Sequence, residues 1–163
     1  MPMTMIPEGV DEIKKMLQKL GDNAQRAAST GLYDGAGIMA DEIKNHAKNI
    51  PTAPFHYAVF PPTIKRDVSP EEKEVVQNGI GIARFNKSGG GNVTTSVGYG
   101  RNAGYAMMAG RRKPIPLIAN AINSGTSFMR KQPFFRHAVS EGTRPASEAM
   151  QKKIEDILEQ MTK

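Results

Sequence analysis

Apolar positions recur with helical spacing at both ends of the chain. Val10, Ile13, Met16, Leu17 and Leu20 share one helical face. Gly21 can close that helix and Asp22 can cap a second one. The second pattern is built from small residues: Ala24, Ala27, Ala28, Leu32, Ala36, Met39, Ile43 and Ala47. Gly31, Gly35 and Gly37 interrupt it, each costing up to ~1 kcal/mol relative to alanine in a helix. They read as points of close approach to a neighbouring helix. They lack the G-x-G-x-x-G spacing and the preceding strand of a phosphate loop. At the other end, Ala146, Met150, Ile154, Ile157, Leu158 and Met161 form an amphipathic stripe. Pro133 stands where this last helix can begin, with Phe134, Phe135, Ala138 and Val139 as its first apolar patch. Gly142 and Pro145 predict an interruption or a kink.

The middle of the chain is patterned differently. Pro51, Pro54, Pro61, Pro62 and Pro70 predict a loop over 50–70, since proline has no amide donor for a helix or a ladder. Phe55, Tyr57 and Phe60 lie in that loop and are candidates for a subunit interface, because a lone monomer has little reason to expose them together. Ser69-Pro70-Glu71-Glu72 has the form of a capping box. The β-branched residues beyond it, from Val75 and Val76 to Ile80 and Ile82, read instead as a strand. A second strand over 93–99 pairs with it across a glycine-rich tip, giving a hairpin. Residues 100–131 read as irregular, broken by Pro114 and Pro116 ahead of a short apolar stretch. The expected class is α+β in a single domain over 1–163: N-terminal helices, a small antiparallel β-sheet and a long C-terminal amphipathic helix.

The 163 residues include no cysteine, which excludes disulfides, thiolate metal sites and cysteine nucleophiles. No apolar run approaches the ~18 residues of a membrane span. Residues 1–9 lack the basic and apolar regions of a secretory signal, so a protein made in a cytosol is expected. The net charge of +6 is unevenly placed. Residues 101–147 hold eight Lys/Arg against one Asp/Glu, while the rest of the chain is close to balanced. Such a block points to an anionic partner, either nucleic acid or an acidic protein surface. Its candidate contacts are Arg101, Arg111, Arg112, Lys113, Arg130 and Lys131.

Catalytic chemistry is sparse. No two of His46, His56 and His137 stand at i, i+4, so no zinc site is expected, and no other cofactor has a motif. Asn123-Ser124-Gly125-Thr126-Ser127 is not a nucleophile elbow. Glu42-Ile43-Lys44 and Glu72-Lys73-Glu74 read as solvated charged faces. Nothing assembles a nucleophile, a base and an oxyanion site, so no enzyme is expected.

The most distinctive string runs from Ile122 to Ala138. Its Gly125-Thr126 pair is followed by Gln132-Pro133-Phe134-Phe135, which opens the last helix. This string resembles the signature of a family of bacteriophage minor-tail proteins: the head–tail joining or tail-completion proteins of long-tailed phages. The order of elements is also similar. Two local features differ: Pro51-Thr52-Ala53-Pro54 replaces a Pro followed by Thr-Gly, and Ile122-Asn123-Ser124 replaces an acidic–aromatic pair. Gly125, Thr126, Gln132, Pro133, Phe134 and Phe135 carry the motif, with structural roles: a turn at Gly125, a helix start at Pro133 with Gln132 serving an exposed N–H, and anchoring by the two phenylalanines. The resemblance implies a virion protein, made in the host cytoplasm, that forms a ring around the DNA channel at the neck or tail end. A hexamer would match a tail tube. Its partners would be copies of itself, other neck and tail proteins and the genome DNA, with no membrane. The alternative is a stand-alone basic DNA-binding protein, although no standard reader of DNA is visible.

Overall fold

In a computed structural model, the structure describes residues 10–53, 65–87, 93–100, 103–108 and 110–162. Two long helices dominate. Helix α1 (Val10–Lys48) is continuous, so the two N-terminal helices expected from Gly21 and Asp22 are one. Gly21 sits in the helix facing open space, and nothing forces a turn there. Helix α4 (Phe134–Thr162) likewise continues through Gly142 and Pro145 without interruption. The two helices pack antiparallel: Gly31 meets Ile154, Gly35 meets Met150, and Gly142 meets Met39 and Glu42.

The small residues of α1 allow this packing. A Cβ on Gly31 would lie 2.6 Å from Ile154 Cγ1 and 2.9 Å from the Met150 carbonyl oxygen. Ala27, Ala36, Ala40 and Ala47 are buried beside these glycines. The interface therefore recovers in contact what the glycines give up in helix propensity.

The core lies at one end of this helical pair. Ile43, Ala47 and Ile50 meet Phe134 and Ala138 there, together with Val68, Val76, Ile118, Ile122 and Met129. Two short helices close over it. Helix α2 (Pro70–Asn78) begins at the capping box, with Ser69 Oγ accepting from Glu72 N–H at 3.2 Å and Glu72 Oε2 accepting from Ser69 N–H at 3.0 Å. The strand expected over 75–78 is thus the end of this helix. The caps and the inward Val76 outweigh the β-branched propensity of Val75-Val76. Helix α3 (Ile115–Ser124) occupies part of the stretch expected to be irregular. Its two prolines fit because Pro114 is the extended cap residue and Pro116 lies in the first turn, where no amide donor is needed.

The expected hairpin is present as two short antiparallel pairs: β1 (Gly81–Ile82) with β4 (Val97–Gly98), and β2 (Asn86–Lys87) with β3 (Val93–Thr94). A second hairpin, not anticipated, joins β5 (Tyr105–Met108) to β6 (Arg111–Pro114) across Gly110 at φ +73°. The left-handed backbone there suits glycine. The class is α+β, with long helices and small antiparallel sheets. No described helix is long and apolar enough to cross a membrane.

Candidate functional site

The basic residues separate into two groups. The first is on the β5–β6 hairpin, where all four residues of β6 are exposed. The register pairs Tyr105 with Pro114, Ala106 with Lys113, Met107 with Arg112, and Met108 with Arg111. Paired residues share a face and successive residues alternate. Arg112 therefore belongs with Tyr105 and Met107 on the outer face, and Arg111 and Lys113 with Met108 and Ala106 on the inner one. Met108 is buried while Tyr105 and Met107 are 58% and 68% exposed. The Arg112 guanidinium lies 4.2 Å from the Tyr105 ring centre, a cation–π contact. Lys113 is close enough to Glu72 to help lower its carboxyl pKa.

The second group is in the link between α3 and α4. Arg130 approaches Asp67 at 3.7 Å, and Lys131 is exposed. Backbone bonds hold this link against residues 65–68: Arg66 N–H donates to the Phe128 carbonyl at 2.8 Å, and Arg130 N–H to the Arg66 carbonyl at 2.9 Å. Arg101, Phe55, Tyr57 and Phe60 lie outside the described residues, so the aromatic loop is not placed.

A charged pair missed in the sequence joins the two groups. Arg66 grips Glu72 with two bonds of 2.7 Å. Burial alone would push the Glu72 carboxyl up, but the Arg66 guanidinium and the Ser69 amide more than offset it and hold it below the usual range. The bond to Glu72 also raises the Arg66 pKa. Glu72 is therefore a buried cap and ion-pair partner, not part of a solvated face. Lys73 likewise turns inward, donating to the Ile50 carbonyl at 2.9 Å. The capping-box spelling was the available signal.

The motif residues form the joint between α3 and α4. Gly125 ends α3 at φ +74°, and a Cβ there would lie 3.0 Å from the Lys131 amide. Thr126 Oγ1 accepts from the Phe128 and Met129 amides at 3.2 and 3.0 Å. Gln132 N–H donates to the Ile122 carbonyl at 2.8 Å. Gln132 serves the helix start through its carbonyl, which accepts from Phe134 N–H at 2.8 Å, and the next amide, that of Phe135, goes to Asn123 Oδ1 at 3.3 Å. Pro133 precedes the first turn and its carbonyl accepts from His137 N–H at 3.2 Å. Phe134 is buried, and Phe135 packs with Tyr99 at the mouth of a groove of about 270 Å³ lined also by Val97, Pro116 and Ala119.

A wider cleft of about 1050 Å³ lies between the arms of the first hairpin. Among the described residues Arg84 is its one charged lining residue, and Ser96 and Tyr99 supply its hydroxyls. Tyr99 OH donates to the Val76 carbonyl at 2.8 Å, and burial raises its phenol pKa. Among the described residues, no carboxylate or imidazole lines either cavity. What the described surface offers is contact: an exposed basic strand, and Tyr105, Met107, Leu117 and Phe128 open to solvent. Comparison with protein families, with characterised proteins and with solved structures finds no match to this chain.

Proposed function

We propose that this protein is a non-enzymatic assembly component of a phage virion, a ring-forming subunit at the neck or tail end around the DNA channel. The observation that carries the reading is the β5–β6 hairpin, which presents Arg111, Arg112 and Lys113 beside exposed Tyr105 and Met107. Charged and aromatic groups on a projecting hairpin suit assembly by surface complementarity. The Gly125-Thr126 and Gln132-Pro133-Phe134-Phe135 signature supports it, since these residues build the hydrogen-bonded joint between α3 and α4. A ring multiplies the subunit charge around its circumference. Contacts to phosphate would then be independent of base sequence, as a channel open to any genome requires.

Negative-stain imaging of the purified protein, alone and mixed with tails, tests this reading. Rings with a central opening, or density added at tube ends, are expected. A protein that stays monomeric at all concentrations and adds nothing to tails would overturn it. The exposed basic strand also favours a second reading, a stand-alone DNA-binding protein. That reading requires duplex affinity from the monomer that falls steeply with salt.

A further inference from the structure

Away from the basic hairpin, α1 and α4 bring two glutamates and a histidine together. Glu42 and His46 stand one turn apart on α1, and Glu141 faces them from α4. His46 Nε2 lies 3.0 Å from Glu141 Oε2 and 3.4 Å from Glu42 Oε1. One ligand atom from each residue lies within 4.8 Å of the other two. The His137 ring, one turn before Glu141, lies nearly parallel to that of His46, with centres 6.5 Å apart. Each helix thus contributes a Glu and a His at i, i+4. The sequence signal for this cluster is the mixed Glu–His spacing on each helix, not a His–His pair.

We propose that Glu42, His46 and Glu141 form a binding site for a divalent transition-metal cation, Zn²⁺ or a close analogue, that bolts α1 to α4. Two ligands each about 2.0–2.2 Å from a tetrahedral ion stand roughly 3.3 Å apart. The two His46 separations bracket that value before any ion is added. One imidazole and two carboxylates suit a borderline cation, and their two negative charges match its charge. Gly142 keeps the cluster compact. A Cβ there would lie 3.2 Å from Glu42 Cγ and 3.1 Å from Met39 Sδ, so a side chain would push Glu42 away from α4. His46 is mostly covered while Glu141 is 63% exposed, which leaves an entry path from solvent. Three protein ligands leave a fourth position for water or for the neighbouring His137.

The rival account is an ion triad, in which a protonated His46 is shared by the two carboxylates and needs no metal. Calorimetric titration of the EDTA-stripped full chain with Zn²⁺ separates the two, with Co²⁺ absorption as a second readout. One saturable site per chain is expected, with a melting temperature that rises by several degrees as Zn²⁺ is added. Glu141→Gln changes an exposed side chain and should weaken binding at least ~tenfold while the metal-free melting temperature stays close to that of the parent. His46→Gln should abolish binding. Absence of saturable binding in the parent chain would overturn the proposal. So would affinity unchanged in Glu141→Gln, since the metal would then sit elsewhere. If His46→Gln does not fold, Glu141→Gln decides alone.

Discussion

Arg66 and Glu72 show how much of this fold rests on single side chains. Glu72 accepts from the Ser69 amide and from two guanidinium nitrogens, and is only 6% exposed. Truncating Arg66 to alanine leaves a buried carboxylate without its main counter-charge, at a cost of about 2–4 kcal/mol. Chemical denaturation at neutral pH should show that loss. The pH dependence follows from the lowered pKa of Glu72. Its stabilisation is fully present above the usual carboxylate value of about 4.3 and is lost as pH falls through the lower folded value. The deficit of Arg66→Ala should therefore be largest near neutrality and should close in acid. A deficit that persists undiminished at low pH would mean that Arg66 acts through packing instead.

At the scale of elements, the glycines of α1 divide into two kinds. Gly21→Ala meets nothing within 4 Å and should stabilise by up to ~1 kcal/mol. Gly31→Ala gains the same propensity but drives a methyl against Ile154 and the Met150 carbonyl, so a net loss of about 1–2 kcal/mol is expected. Paired thermal melts of the two variants test the closeness of the α1–α4 packing. The C-terminal stripe is graded in the same way. Ile154 is half-buried against Gly31, whereas Leu158 is 44% exposed. Ile154→Asp should cost about 1–3 kcal/mol and Leu158→Asp well under that, although the sequence pattern gave both the same weight.

Those two helices were legible because their apolar and small residues keep a 3.6-residue period over many turns. The division at Gly21 was misread because a glycine in a helix and a glycine after one are spelled alike. The interruption expected at Gly142 and Pro145 is not seen, because the sequence cannot reveal how firmly a partner helix holds the turn. Helix α2 was announced by Ser69-Pro70-Glu71-Glu72 but obscured by Val75-Val76, and the burial of Val76 in the core is a tertiary fact. Asn123 and the Glu42–His46–Glu141 cluster depend on contacts between distant segments, which local spacing does not encode.

For the whole molecule, the uneven charge resolves into surfaces with separate jobs. The triple variant Arg111→Ala, Arg112→Ala, Lys113→Ala removes only exposed side chains and should leave the melting temperature within about 2–3 °C of the parent. If all three meet duplex phosphates, the slope of log affinity against log salt should fall by nearly three, at roughly 0.9 per contact. If they meet an acidic neighbouring ring, tail attachment should fail while DNA affinity is unchanged. A variant that still assembles and binds as the parent does would leave the strand as a solvated face only. Arg112 shares its face with Tyr105 and Met107, so Arg112→Ala alone should separate the outer face from the inner one.

The pairing of α1 with α4 also governs how the protein is made. A ribosome completes α1 before α4, with everything from Asn49 to Pro133 synthesised in between. Until then the glycine and alanine ridge of α1 has no surface to lie against, and closing so large a loop costs entropy before any contact repays it. The α1 ridge is therefore not covered until α4 has been made. A chain cut short before Phe134 lacks Phe134, Ala138 and Ala146 from its core and leaves the α1 ridge uncovered and open to proteolysis. Only copies that include α4 can cover that ridge, so truncation ahead of α4 is marked by the exposed glycine and alanine face it leaves behind.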